Sequence, residues 1–239
     1  MIPKKIHYCW FGGNPKPDSV QKCINSWKRF CPDYEIIEWN ESNFDIHCMP
    51  FVEQAIEAKK YAFASDVARL MVVYENGGLY FDTDVEVIRS FDALLENQAF
   101  LGFESNEYVN SGLGFGSEAG IDFFREHIDA YRDKVFINED GSFNMIACPY
   151  VATELLVEKG FVQNGQEQLV DNVRIYPTDY FNPFDSITGK LNKTNNTYSI
   201  HWYDASWSDI SKSKLKFNRF IRRILGVNSL NNVKKILGK

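Results

Sequence analysis

Asn76-Gly77-Gly78-Leu79-Tyr80-Phe81-Asp82-Thr83-Asp84-Val85-Glu86-Val87 decides the fold, because an apolar helix stops at its glycine pair and an acidic strand follows. Side chains alternate along a strand, so Leu79, Phe81, Thr83, Val85 and Val87 fall on one face and Tyr80, Asp82, Asp84 and Glu86 on the other. The Asp82 and Asp84 Cα atoms are then expected about 7 Å apart on one face. Like charges at that spacing repel unless a cation lies between them, so the pair is either a seat for Mg²⁺ or Mn²⁺ holding a diphosphate, or two solvated acids on a strand surface.

Outward from this stretch, Ala62 to Glu75 is apolar nearly all round and reads as a buried helix capped at Asn76-Gly77-Gly78. Asp66 and Arg69 sit three apart on it and share a face, so they form a structural ion pair or line a polar cleft. Towards the N-terminus, Lys5 to Phe11 reads as a buried strand, Asp18 or Ser19 to Phe30 as a helix ended by Cys31-Pro32-Asp33, and Tyr34 to Trp39 as a second strand. That order gives an α/β fold with a mostly parallel central sheet. Beyond the acidic strand come a strand near Phe100 to Glu104, the glycine-rich Asn110 to Gly116, and helices near Ile121 to Tyr131 and Pro149 to Lys159. Val173 to Trp207 has little clear periodicity.

With 239 residues, 44% hydrophobic and 15% aromatic, the chain can bury a large core. No apolar run approaches the roughly 20 residues that span a bilayer, and Met1 to His7 lacks the apolar segment of a signal peptide. Cys9, Cys23, Cys31, Cys48 and Cys148 are odd in number without a Cys-x-x-Cys pair, which argues against a disulfide framework and a structural zinc site. A cytoplasmic location follows, and the sequons at Asn40, Asn192 and Asn195 are then unused.

Charge divides the chain in two. Nine of the 26 basic residues lie from Lys212 to Lys239 with no acidic residue among them, so the body sets 17 basic against all 32 acidic residues. The expected division is a catalytic domain over 1–211 and a basic amphipathic tail over 212–239. In the tail Phe217, Phe220, Ile221, Ile224 and Leu225 recur at helical spacing among Lys216, Arg219, Arg222 and Arg223. Such a helix either lies in an anionic membrane surface at the inner face of the membrane or packs on the acidic body. Nothing points to nucleic acid.

Three blocks in order resemble the DXD-containing family 32 glycosyltransferases, which include capsular-polysaccharide sugar transferases and a fungal mannosyltransferase, with glucosylating toxins more distant. The blocks are Ile2 to Gly13, Ala64-Ser65-Asp66-Val67-Ala68-Arg69, and Gly77-Gly78-Leu79-Tyr80-Phe81-Asp82-Thr83-Asp84. His201-Trp202-Tyr203-Asp204-Ala205-Ser206-Trp207 is similar to the family's C-terminal element, and Asn110-Ser111-Gly112 and Pro149 with Thr153 match weakly. The resemblance implies a GT-A, Rossmann-like fold, a UDP- or GDP-sugar donor, Mn²⁺ (or Mg²⁺), retention of anomeric configuration, and a glycan or lipid-linked acceptor in cell-surface polysaccharide or capsule synthesis.

By motif position, the resemblance implies that Asp84 ligates the metal directly, that Asp82 serves the donor's ribose or sugar or the metal through water, and that His201 completes the shell. It places Asp66 and Arg69 on the donor sugar and its phosphate, Trp10 near the nucleobase, and Trp207 over the diphosphate or base. Asn110 joins the donor site through the weaker match, and Tyr80 through its place on the acidic face. The strand Leu79 to Asp84 is also similar to the nucleophile strand of haloacid-dehalogenase-type phosphatases, although there it usually opens the domain. A non-catalytic nucleotide-sugar-binding module is the third alternative.

Overall fold

A computed structural model describes residues 1–204 and 212–225. In chain order its elements are β1 (Lys5–Cys9), α1 (Asp18–Phe30), β2 (Glu35–Trp39), α2 (Pro50–Glu57), α3 (Tyr61–Asn76), β3 (Gly78–Tyr80), β4 (Val85–Val87) and β5 (Ala99–Phe103). There follow β6 (Val109–Asn110), β7 (Phe115–Ser117), α4 (Asp122–Arg132), α5 (Cys148–Glu158), β8 (Gln168–Val170), β9 (Val173–Tyr176), α6 (Thr178–Phe181), β10 (Ser199–His201) and α7 (Lys212–Leu225).

The main sheet has eight strands, ordered β2-β1-β3-β7-β5-β9-β8 with β6 beside β5. β2, β1 and β3 are parallel, β7 is inserted antiparallel between β3 and β5, and β5 and β9 are parallel to each other. Five strands therefore run in one sense, and the expected mostly parallel α/β sheet is present. Alternation along β1 feeds two cores, one on each face. Ile6 and Tyr8 pack with Cys23 and Trp27 of α1 on one side, while Cys9 joins the side covered by α2 to α5. All five cysteines are free.

α3 buries Ala64, Val67, Ala68, Leu70, Val72 and Val73. It stops because Gly77 and Gly78 both take positive φ, 62° and 114°, which lets the chain reverse into β3 without a Cβ penalty. Phe81 N–H still donates to His7 O, 3.1 Å away. The strand then ends. Val85 N–H turns back to Asp82 O at 3.0 Å, and β4 leaves to pair with β10 in a separate two-stranded sheet. Asp82 and Asp84 thus occupy a turn between two sheets, rather than one strand face as the alternation predicts. Hydrogen bonding to β1 reaches only as far as the Phe81 N–H, and the indole Nε1 of Trp27 fixes Val85 O from the α1 side at 2.8 Å.

Of the tail, the described α7 contacts the body. Arg219 of α7 donates from Nε to Ser186 O and from a terminal nitrogen to Tyr203 O, both at 3.0 Å, and its guanidinium lies 5.0 Å over the Phe184 ring. Phe217 and Phe220 remain outward, 61% and 58% exposed. No helix among the described residues is long and apolar enough to cross a membrane.

Candidate metal and donor site

The turn at residues 81–84 converges with α3, the β6–β7 connection and the end of β10. Arg69, buried with 5% of its side chain exposed, reaches Asp66 Oδ1 at 2.8 Å and Asp82 Oδ1 at 3.1 Å. Its Nε donates to Ser65 O at 3.2 Å. The two acids keep 19% and 25% of their side chains exposed, so the guanidinium forms the floor and the carboxylates line the opening. The ion pair of the first reading is present, and Asp66 and Asp82 keep part of their carboxylates exposed beside it.

Tyr80 lies beneath this bridge, 1% exposed, with the Arg69 guanidinium 5.2 Å above its ring. Burial leaves its phenol no face for a donor. It packs against Phe115, and its hydroxyl supports the Asp82 carboxylate from below.

His201 Nε2 stands 3.0 Å from Asp84 Oδ1. Asp84 is further held by the Asp204 N–H on Oδ2 at 2.9 Å, and its own carbonyl accepts from Trp202 N–H at 3.0 Å. Asp82, Asp84 and His201 each offer one ligand atom, all within 4.8 Å of one another. Two carboxylate oxygens and one imidazole nitrogen suit Mn²⁺ and accept Mg²⁺. The buried Nδ1 of His201 has no partner among the described residues.

Burial raises the Asp82 carboxyl, Arg69 opposes this, and Asp84 raises it further. Burial also acts to raise Asp84, but the His201 charge and the His201 and Asp204 hydrogen bonds outweigh it and hold it below the usual range. His201 is raised in return, since Asp84 overcomes the desolvation that would lower it. Asp66 is pushed up to about 6 by burial, against the pull of Arg69.

Gly112, which the sequence offered only as part of a weak match, is where these groups meet. A Cβ there would lie 2.5 Å from Asp82 Oδ2 and 3.0 Å from both an Arg69 terminal nitrogen and Asn110 Oδ1. Asn110 Oδ1 accepts from Gly112 N–H at 2.6 Å, so Asn110 stands at the same opening. Trp10 lies just past β1 on the other core, its indole donating to Asn14 O at 2.7 Å and Lys16 Nζ 5.7 Å from its ring. Trp207 lies outside the described residues. Sequence reasoning missed Gly112, the Asp204 N–H, Tyr203 with Glu104, and Arg219. Of these, Gly112, Tyr203 and Asp204 lay inside matched blocks, and Glu104 and Arg219 did not.

Residues 17–101 match the family described as a glycosyltransferase sugar-binding region containing a DXD motif. The matched stretch includes the helix that carries Asp66 and Arg69 and the turn that carries Asp82 and Asp84. Inositol phosphoceramide mannosyltransferase 3 of Schizosaccharomyces pombe is 30% identical to this chain over 119 residues, covering 48% of the chain and 33% of the relative. Toxin Afp18 of Yersinia ruckeri is 49% identical over 45 residues, 19% of the chain and 2% of the toxin. The chain thus spans no more than about a third of the curated relatives it matches. Among solved structures, the PaToxG glycosyltransferase superposes with a TM-score of 0.54 at 20% identity, over 66% of this chain and 70% of that one. At that identity the likeness is one of fold, a mixed α/β architecture around a mostly parallel sheet.

Proposed function

We propose that this chain transfers a sugar from a UDP- or GDP-sugar to a glycan or lipid-linked glycan, with retention of configuration and with Mn²⁺, or Mg²⁺, as its cation. The observation that carries this reading is the junction at Asp82, which belongs both to the Asp66–Arg69 bridge and to the Asp84–His201 cluster. One carboxylate thereby links a sugar-facing group to a cation-binding group. The printed names of the mannosyltransferase relatives favour a lipid-borne acceptor and make mannose the first sugar to test.

Asp84 and His201 would hold the cation directly, with Asp82 alongside. When bound, the cation neutralises charge that develops on the departing diphosphate. Arg69 keeps Asp66 and Asp82 fixed at the opening, so hydroxyls of the donor sugar meet acceptors that need no reorganisation. Asp66, pushed up to about 6, is a carboxyl that exchanges its proton near neutrality and can accept or donate to a sugar hydroxyl. Trp10 offers an aromatic face beside the end of β1 for a base, and Asn110 a polar group beside Asp82. No nucleophile for a double displacement is assigned, so transfer on the face of the departing phosphate is the working mechanism.

The outward Phe217 and Phe220, flanked by exposed Lys214 and Arg223, support a peripheral seat on an anionic membrane, at the cytoplasmic face and in a cell-surface polysaccharide or capsule pathway. Such a seat concentrates the enzyme beside a lipid-linked acceptor.

The test is incubation of the chain with a panel of UDP- and GDP-sugars, with and without Mn²⁺. Slow, cation-dependent release of one nucleoside diphosphate is expected. Cleavage of p-nitrophenyl phosphate with Mg²⁺ in its place would establish the phosphatase alternative. Stabilisation by a nucleotide sugar, worth about 2.7 kcal/mol at about 100 times Kd, without any release would leave a binding module.

A further inference from the structure

Tyr203 follows the end of β10 with φ of 50°, in the left-handed region that a bulky side chain rarely adopts. That conformation has a visible result. The N–H groups on either side of Tyr203 both reach Asp84, Trp202 N–H on its carbonyl and Asp204 N–H on its carboxylate. In an extended strand the N–H groups of residues 202 and 204 point the same way but lie about 7 Å apart, and with the positive φ at residue 203 between them both close on the one residue Asp84.

Three contacts hold the turn. The Tyr203 carbonyl accepts from Arg219 of α7 at 3.0 Å, and its hydroxyl donates to Glu104 Oε1, just past β5, at 3.1 Å. Its ring stands edge-on to the His201 imidazole, with centroids 4.1 Å apart and planes at 74°. Arg219 is itself braced by Ser186 O and the Phe184 ring, so α7 transmits a fixed position to Tyr203. His201 is held at Nε2 by Asp84 and has no partner on Nδ1 among the described residues, so the Tyr203 ring is the second group that restrains its plane.

We propose that Tyr203, locked by Arg219, is a positioning residue that orients His201 and Asp84 for a divalent cation. This rests on the reading of Asp82, Asp84 and His201 as a cation site. It also makes α7 part of the site's scaffold rather than an appendage. Groups that orient ligands without touching the metal commonly govern affinity by about 10- to 100-fold.

The experiment is a Mn²⁺ titration of the full chain without donor, read as free Mn²⁺ by electron paramagnetic resonance, with a thermal melt of each protein. Tyr203→Gly is the key variant, because glycine takes φ of 50° without strain and preserves the turn while removing the ring. It should melt close to the parent and bind Mn²⁺ about 10- to 100-fold more weakly. Arg219→Ala, which leaves Tyr203 intact, should weaken binding in the same direction, and Tyr203→Phe, which keeps the ring on His201, should restore most of the affinity. Asp84→Asn serves as the non-binding reference. Parent-like affinity in folded Tyr203→Gly or Arg219→Ala would overturn the positioning role alone. A parent chain that binds no Mn²⁺ would overturn the cation site and this inference with it.

Discussion

His201 Nε2 and Asp84 Oδ1, 3.0 Å apart, pair through the same two atoms that a cation would engage. A proton on His201 and a metal ion therefore compete for one place. Because His201 titrates above its ordinary value, Mn²⁺ affinity should fall as pH drops through that raised pKa and level off above it. Calorimetry in buffers of different ionisation enthalpy should show up to about one proton released per Mn²⁺ bound below that pKa. An affinity unchanged between about pH 6 and about pH 8 would place the metal away from His201.

The same pair sets a stability window. Asp84 is depressed, so its contribution is present above the unfolded value of about 3.9 and is lost as pH falls through the folded pKa. His201 is raised, so its contribution is present below about 6.5 and is lost as pH rises through the folded pKa. Asp84→Asn should thus cost most between about pH 4 and about pH 6.5, of order 1–3 kcal/mol, and less at higher pH where His201 is already neutral. Urea melts across that range check it. A cost that keeps growing into alkaline pH would show that the partner of Asp84 is not the imidazolium.

Gly112→Ala places a methyl group 2.5 Å from Asp82 Oδ2, within a site whose neighbours are themselves hydrogen-bonded. The carboxylate must move. We expect a stability loss of about 1–3 kcal/mol and a fall in donor turnover of about 100-fold, because an ångström of displacement matters more to geometry than to folding. Wild-type turnover in this variant would remove Asp82 from the reaction.

Arg69→Lys keeps a positive charge but cannot hold Asp66 and Asp82 with one planar fork. Donor turnover should fall more steeply than the melting temperature. Loss of the fold with full specific activity in the surviving fraction would make the bridge structural only.

Phe217→Ser with Phe220→Ser removes outward apolar surface and leaves Arg219 in contact with the body. Co-sedimentation with anionic phosphatidylglycerol vesicles should drop, and binding by the parent should weaken with added salt. Undiminished binding by the double variant would show that α7 is not the membrane contact.

The N-terminal third was legible because its elements are long and periodic. α1, α3, β1 and β2 each present enough residues for a face to emerge, and Gly77-Gly78 marks the reversal by a conformational need that glycine alone meets cheaply. The break after Tyr80 was hidden because Phe81 to Val87 keeps a strand-like alternation although its hydrogen bonds pass from one sheet to another. β9, α6 and β10 are three or four residues long, too short for periodicity to declare them, and large aromatic contacts such as Phe91 with Phe181 and Tyr198 hold that region instead. Asp66, Arg69, Asp82, Asp84 and His201 could be named from residue type and resemblance. Gly112 and the Asp204 N–H could not, because one acts by lacking a side chain and the other through backbone alone.

The Asp204 N–H reaches Asp84 across 120 residues of chain, and β10 carries His201 to β4 over a similar interval. During translation, the emerging region up to residue 101 would display two carboxylates with no imidazole to complete them and no backbone donor to aim them. Competence to hold a cation would therefore arrive as a late event of synthesis, after β10 has docked, and an abbreviated chain would be expected to leave the cell's nucleotide sugars untouched.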